Sequence, residues 1–463
     1  MQRALLYALI AGSFLMLGGS PLWTRPILLA IAAAGLAVAP GRTLRFPREN
    51  RLIDAALLTI LAAMGVQLIP LPATVADALS PHSADVLANL HYALGDTPQR
   101  WRPLTLDSTA TLYAMSVVAI GIAAFWIARA SFAAGHTRQF CRVIALGSGI
   151  AAAVALVQKF STPTLLLGAI APAARNANPF GPFVNRNHFA AWLLMCAAVA
   201  VGYLIAHLHI HAEYHRRFRE AFKYFLTSGA LLTGIAATLT VMTMLFTMSR
   251  SAAAGLGAAA LGGAWLGRPR IRIERTAIPS VLAATGVMLL VAVAFIDFGG
   301  WSARLQESFR DPAEGLGRIT IWRQSLPIAR DFLVTGTGAG TFELAMSQYQ
   351  QSRVWIGAMS GWVHINNAHS HYLQVAAEGG LLLIVPSLIA ICATAILGFR
   401  RVRHDAGEMM WTRVGAMAGL IGIAVQSIWE VSLTVPANAV MCGVLAALAV
   451  YRRETTNPPA PRH

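Results

Sequence analysis

Apolar residues in this chain gather into long uninterrupted blocks, separated by short polar stretches rich in arginine. A helix needs roughly 17–25 mostly apolar residues to cross the hydrocarbon of a bilayer, and twelve blocks approach that length. They are Ala4–Leu22, Pro26–Ala39, Ile53–Ile69, Thr109–Ala128, Val143–Val157, Phe189–Ala206, Phe225–Thr247, Ala252–Leu266, Ile278–Phe295, Leu373–Leu397, Val414–Trp429 and Ala437–Val450, of which the second and eighth are short. The pattern predicts an all-α, polytopic integral membrane protein with about twelve transmembrane helices. Residues 1–297 would hold nine of them, 298–370 one long loop, 371–451 the last three, and 452–463 a Pro-rich tail. Within the long loop, Gly317–Asp331 and Phe342–Gln351 read as short helices. The first block lacks a small-residue cleavage site and reads as a retained helix rather than a removed leader.

Composition agrees with the pattern. Of 463 residues, 56% are hydrophobic and 12% charged, with a mean hydropathy of +0.58, against about 25% charged in soluble domains. Cytoplasmic loops carry the excess of Lys and Arg. With the N-terminus inside, 23 of the 36 basic residues fall on inner segments, every one of them short, so both termini are expected in the cytoplasm. The net charge of +16 then reflects topology and anionic lipid. Because it is scattered over separate loops, no nucleic-acid partner is expected. Cys141, Cys196, Cys392 and Cys442 lie in or beside apolar blocks at no metal-ligand spacing and read as buried, inert thiols.

Candidate chemistry concentrates where the long loop re-enters a block, at Ala368-His369-Ser370-His371-Tyr372-Leu373-Gln374 followed by Glu378-Gly379-Gly380. Ser370 suits a helix cap, while a neutral imidazole can take a proton from a hydroxyl near pH 7. Two residues apart, His369 and His371 cannot both face one site from a helix. Glu378 lies about two and a half turns further in, where an ionisable group is costly. Arg250, between two blocks, suits either a snorkelling anchor or an anion site. Arg318, four residues from Trp322, suits either an Arg–aromatic stack or an anion site. Asn185, Asn187 and His188 offer several hydrogen-bonding groups at the lip of another block, in Gly181–Ala190. Gly336-Thr337-Gly338-Ala339-Gly340 has the look of a phosphate turn, but no strand precedes it, which favours a tight turn before a helix. No metal set is apparent: His364 adds a third imidazole, with no carboxylate at tight spacing.

In order along the chain, the segments Arg102–Asp107, Phe183–Ala190, Ser249-Arg250-Ser251, Gly317-Arg318 with Trp322, Gly336 and Gly338, Ala368–Gln374, and Ser427–Glu430 with Leu433 and Pro436–Ala439 together resemble the O-antigen ligase and O-antigen polymerase superfamily of bacterial membrane glycosyltransferases. The resemblance implies a GT-C-like fold in the inner membrane, with an active site facing the periplasm. The donor would be a saccharide on polyprenyl (undecaprenyl) diphosphate, used without a cofactor or metal. It also implies a saccharide acceptor, contact with membrane lipid, and chain-length regulator and flippase partners. In that scheme Arg250 and Arg318 hold the diphosphate and His369 is the essential histidine. Glu378 supports it, and Asn185, Asn187, His188, His371 and Tyr372 line the substrate site. The chain departs from the family's common His-Asn-Asp-Tyr at His369–Tyr372, and carries Leu383 where ligases often have a second glycine. The absent glycine, together with a Phe183–Ala190 run that is more polymerase-like, favours polymerisation of an exopolysaccharide or O-antigen repeat over ligation onto the lipid A core of lipopolysaccharide. A secondary transporter, with ionisable residues or broken helices near the midplane, is the reading from a different class.

Overall fold

The computed structural model describes residues 1–38, 41, 44, 46–94, 100–173, 177–212, 229–268, 317–351, 355–356, 361–362 and 364–453. Among them the chain forms fifteen α-helices and two short two-stranded pairings. Eleven of the twelve apolar blocks are helical: α1 (Gln2–Leu15), α2 (Thr24–Ala37), α3 (Arg51–Gln67), α6 (Ser108–Ala133), α7 (Thr137–Ser161), α8 (Arg186–Ala212), α9 (Gly229–Phe246), α10 (Arg250–Gly267), α13 (His371–His404), α14 (Gly407–Gln426) and α15 (Pro436–Val450). The ninth block, Ile278–Phe295, lies outside the described residues, as do 297–316 of the long loop and the basic segment 216–223. By length and apolar composition five helices can cross a membrane, namely α6, α7, α8, α9 and α13, while α1, α2 and α15 are shorter apolar helices. The protein is a mostly helical, multi-pass membrane protein.

The first block ends earlier than its apolar text suggests. α1 stops at Leu15 because Gly18 and Gly19 turn the chain at φ +71° and +77°. A Cβ on Gly19 would lie 2.7 Å from Pro436, so the turn is pressed against the start of α15. Elsewhere small residues let backbones approach, as is usual in membrane bundles. Gly202 of α8 meets Gly415 of α14, and Gly255 of α10 meets Gly422 of α14. These contacts run antiparallel and set the starts of α8 and α10 level with the end of α14.

The polar segments are more structured than loops. Between α3 and α6 lie α4 (Ala73–Leu79) and α5 (Pro81–Leu94), bracketed by the pairing of Leu71–Pro72 with Trp101–Arg102. Arg102 is spent here on Ser83 and an ion pair with Asp77. The long loop forms α11 (Arg318–Asp331) and α12 (Phe342–Tyr349). These helices share a separate apolar core with Val86, Leu106, Ile365, Ala368 and Ala377.

One join governs this cap. α13 breaks at Gly380 (φ +52°, ψ −156°), which strips backbone groups on both sides of their helical partners. The strand-like run after α11 replaces them. Leu381 and Leu382 N–H donate to the carbonyls of Leu333 and Val334, and Thr337 and Gly338 N–H donate to those of Ala377 and Glu378. Broken helices at membrane depth survive only where such partners exist. The glycine-rich run is thus a tight turn wedged against α13. A Cβ on Gly336 would sit 2.1 Å from the Glu378 carbonyl oxygen, at φ +69°. Gly336→Ala is expected to cost about 2–5 kcal/mol from strain and overpacking together. Its thermal midpoint in detergent should fall well below that of Gly257→Ala, whose Cβ would meet nothing within 4 Å.

At the far end of the bundle, arginines expected to mark cytoplasmic loops also act as clamps. Arg129 of α6 is buried against Asp54 of α3 at 2.7 Å, and Trp126 Nε1 donates to the same carboxylate. Arg413 joins Asp405 and donates to the carbonyls of Leu448, Ala449 and Tyr451. Arg401 and Arg452 both reach Glu49. Cys141 and Cys196 are buried, as expected. Cys392 is exposed on the outer surface of α13 and Cys442 only partly covered, which corrects the reading of four buried thiols.

Candidate active site

The polar residues singled out by sequence meet at the end of the bundle where α8, α10, α13 and α15 begin and α14 ends. Asn185 opens α8. Its side-chain oxygen accepts from Asn187 N–H at 2.8 Å, and its carbonyl accepts from His188 and Phe189 N–H, so it serves as a helix cap. This frees the Asn187 side chain, whose amide donates to Glu430 Oε1 at 2.8 Å. Gln426 and Asn438 donate to the carbonyls of Asn187 and His188, tying the ends of α14 and α15 to this turn. The neighbouring aromatics are not presented to a ligand: Phe183 and Phe189 are buried and packed with Phe14 and Trp192.

Arg318 opens α11, and its Nη2 donates to the same Glu430 oxygen at 2.7 Å. The guanidinium turns to this carboxylate rather than stacking on Trp322. Glu430 is buried, with 3% of its side chain exposed, whereas Arg318 keeps 32%. A buried acid thus holds an arginine that stays partly exposed. Burial pushes the Glu430 carboxyl up, opposed by the Arg318 charge, its hydrogen bonds from Arg318 and Asn187, and Arg186.

His369 immediately precedes α13, whose cap is Ser370, its hydroxyl accepting from Leu373 N–H. Its backbone is left-handed at φ +47°, a conformation costly for a side chain with a Cβ. The local frame enforces it. His369 N–H donates to Asn367 Oδ1 at 2.9 Å, Ala368 N–H to Gln374 Oε1 and Ile365 N–H to Gln350 Oε1. The ring lies within electrostatic reach of Arg318 and of His188. Burial, and then the Arg318 charge, push His369 down to about 4. It is therefore neutral across the physiological range.

His371, two residues on, goes elsewhere. Its N–H donates to the Ser427 carbonyl at 2.8 Å, and its Nδ1 is buried without a hydrogen-bond partner among the described residues. Tyr372 is half exposed, with its hydroxyl donating to the Ala424 carbonyl at 2.8 Å. Arg250 stands exposed at the first turn of α10, capped by Ser249, on the same end of the bundle. Glu378 has a different task. Its carboxylate accepts from Gly340 N–H at 2.8 Å, Phe342 N–H at 3.3 Å and Gln374 Nε2 at 3.0 Å. It holds the start of α12 and the frame around His369, and touches neither His369 nor Arg318.

Two participants had no site role from the sequence, although Glu430 closes one of the family-like segments. Glu430 is the centre of the polar group, and its signal was an isolated carboxylate beside Trp429 in the last polar turn. Gln67 ends α3, donating to the carbonyls of Thr335 and Glu378 and accepting from Ala339 N–H. A lone amide at the end of an apolar block carried no signal. Among the described residues, no three His, Cys, Asp or Glu side chains gather as a metal-binding group.

These features describe a polytopic membrane protein of helical bundle type, with a polar group gathered at one end of the bundle. Residues 235–388, from α9 to the middle of α13, match the family described as O-Antigen ligase. That match, over about a third of the chain, supports the resemblance to the O-antigen ligase and O-antigen polymerase superfamily. Arg250, Arg318, His369 and Glu378 all fall inside the matched segment, while Asn185, Asn187, His188 and Glu430 lie outside it. No curated protein matches the chain.

Proposed function

We propose that the protein polymerises saccharide repeats carried on a polyprenyl diphosphate, at the periplasmic face of the inner membrane, within a bundle of twelve spans. The observation carrying this reading is the convergence of Arg318, Glu430 and Asn187 with a neutral His369 at one end of the bundle. The acceptor hydroxyl oxygen forms a bond to the anomeric carbon of the donor while the bond to the diphosphate oxygen breaks. The hydroxyl proton passes to the His369 imidazole, and the polyprenyl diphosphate leaves against Arg318 and Arg250. Guanidinium groups supply the charge that other diphosphate chemistries take from Mg²⁺. An anionic donor offsets the Arg318 charge, so the imidazole becomes a stronger base once the donor is bound. Asn187 and Glu430 position Arg318, and Glu378 positions the His369 frame. His188, His371 and Tyr372 line the approach of the sugar, and Asn185 shapes its edge. A transporter would place ionisable residues or broken helices near the midplane; here the polar residues sit at the bundle's end, and the break in α13 is joined there to the cap and to the end of α3.

Ligation onto a lipid A core is the second reading, favoured by the family description itself. Against it stands Leu383, which takes the place of a glycine and packs with Ala63, Met64 and Ala339. Deleting the gene separates the two. Loss of a polymerase leaves single repeat units and no long chains. Loss of a ligase leaves long chains on the carrier lipid and a bare core, and that outcome would overturn the polymerase reading.

A further inference from the structure

At the end of the bundle opposite His369, a cavity of about 480 Å³ opens between the start of α7, the middle of α8 and the start of α9. Among the described residues its lining includes His136, Arg138, Arg142, Tyr203, His207 and Thr233, and no carboxylate. Arg138 is partly compensated by Glu408 at 3.3 Å and lies 3.5 Å from His207 Nδ1. Arg142 makes no hydrogen bond or ion pair among the described residues and is exposed to the cavity. Two more guanidinium groups stand at the rim: Arg3 donates to Gln139 Oε1 at 3.2 Å, and Arg453 faces Gly135. The α7 N-terminus begins at this cavity, adding the positive end of a helix dipole. The volume is that of a small-molecule site, roughly 300–1,000 Å³. A cavity with this lining selects an anion with several acceptor oxygens.

The walls select what the anion is attached to. Immediately beyond the cavity, Val143, Ile150, Val154 and Val157 of α7 and Leu232 and Ile235 of α9 are exposed large apolar side chains. They continue along the bundle from the arginines into the apolar zone. A free phosphate has no use for such a track, but an acyl chain does. Basic pockets between transmembrane helices are the usual seat of anionic lipid head groups.

We propose that this cavity binds the phosphodiester head group of an anionic phospholipid, whose acyl chains lie along α7 and α9. The site is independent of the glycosyl-transfer reading, because none of its residues belongs to the His369 group. The test uses the full-length protein, delipidated in neutral detergent. It is titrated separately with phosphatidylglycerol, phosphatidylcholine and inorganic phosphate, and followed by native mass spectrometry and thermal shift. Wild type should retain one phosphatidylglycerol in preference to phosphatidylcholine, and inorganic phosphate at equal concentration should not displace it. Arg142→Gln should weaken retention by about tenfold or more, the loss of a charged hydrogen bond. Arg138→Gln should do the same. Because Arg138 also pairs with Glu408, Arg142→Gln is the deciding variant. Arg400→Gln removes the same charge from an exposed position on the same end of the bundle and should bind as wild type does. Undiminished retention by Arg142→Gln, or an equal loss in Arg400→Gln, would overturn the site. Stabilisation and displacement by inorganic phosphate alone would overturn its lipid character.

Discussion

His369→Ala is expected to lower glycosyl transfer by about 10²–10⁴-fold, the usual cost of removing a general base, while inserting and folding normally. His371→Ala should retain most activity, because the proton passes to His369 and the hydrogen bond of His371, from its backbone N–H to the Ser427 carbonyl, survives the change. The reverse result, a dead His371→Ala beside an active His369→Ala, would remove the assignment. The same residue predicts the pH profile. The active form is the neutral imidazole, held at about 4 in the free protein, so kcat/KM should be flat above pH 5 and fall as the pH drops through about 4. Donor binding offsets the Arg318 charge and raises the imidazole pKa, so the acid limb of kcat should lie at higher pH than that of kcat/KM. Coincident limbs would show that Arg318 and the donor do not couple to His369.

Arg318→Ala should cost about 10²–10³-fold in rate, as the loss of a preorganised donor does at other developing anions. Arg318→Lys keeps the charge but loses the planar fork and should remain clearly impaired. The alanine variant also strands Glu430, buried at 3% side-chain exposure. The resulting loss of stability should be about 1–3 kcal/mol, modest because Arg318 itself is partly exposed. Adding Glu430→Gln to Arg318→Ala should restore the thermal midpoint but not the activity. That split separates the structural part of the pair from its role toward the donor. Full activity in Arg318→Ala would end the diphosphate assignment, and a strict requirement for a divalent ion in wild type would point to another mechanism.

What could be read from the chain beforehand followed local periodicity. Apolar blocks became helices, and the helix-like text around Arg318 and Phe342 became α11 and α12, because such patterns depend on neighbours a few residues apart. Ser370 could be recognised as a cap for the same reason. The pairings that build the site are not local. Arg318 meets Glu430 across 112 residues, and Gln67 meets Glu378 across 311. No spacing rule encodes those distances. Glu378 shows the difference most clearly: its sequence position marked it as costly and important, yet only the fold revealed that its oxygens are spent on the backbone of Gly340 and Phe342.

The broken helix also bears on how this end of the protein opens. The amides of Thr337, Gly338, Leu381 and Leu382 are protected only while two distant stretches of chain stay together. Neither stretch can fray alone without leaving backbone groups of the other unpaired. In hydrogen exchange these four amides should behave as one cooperative unit, opening together and more slowly than the ends of α12. The His369 frame would be lost in the same event, so the cap would exchange protons and lose activity on a single timescale.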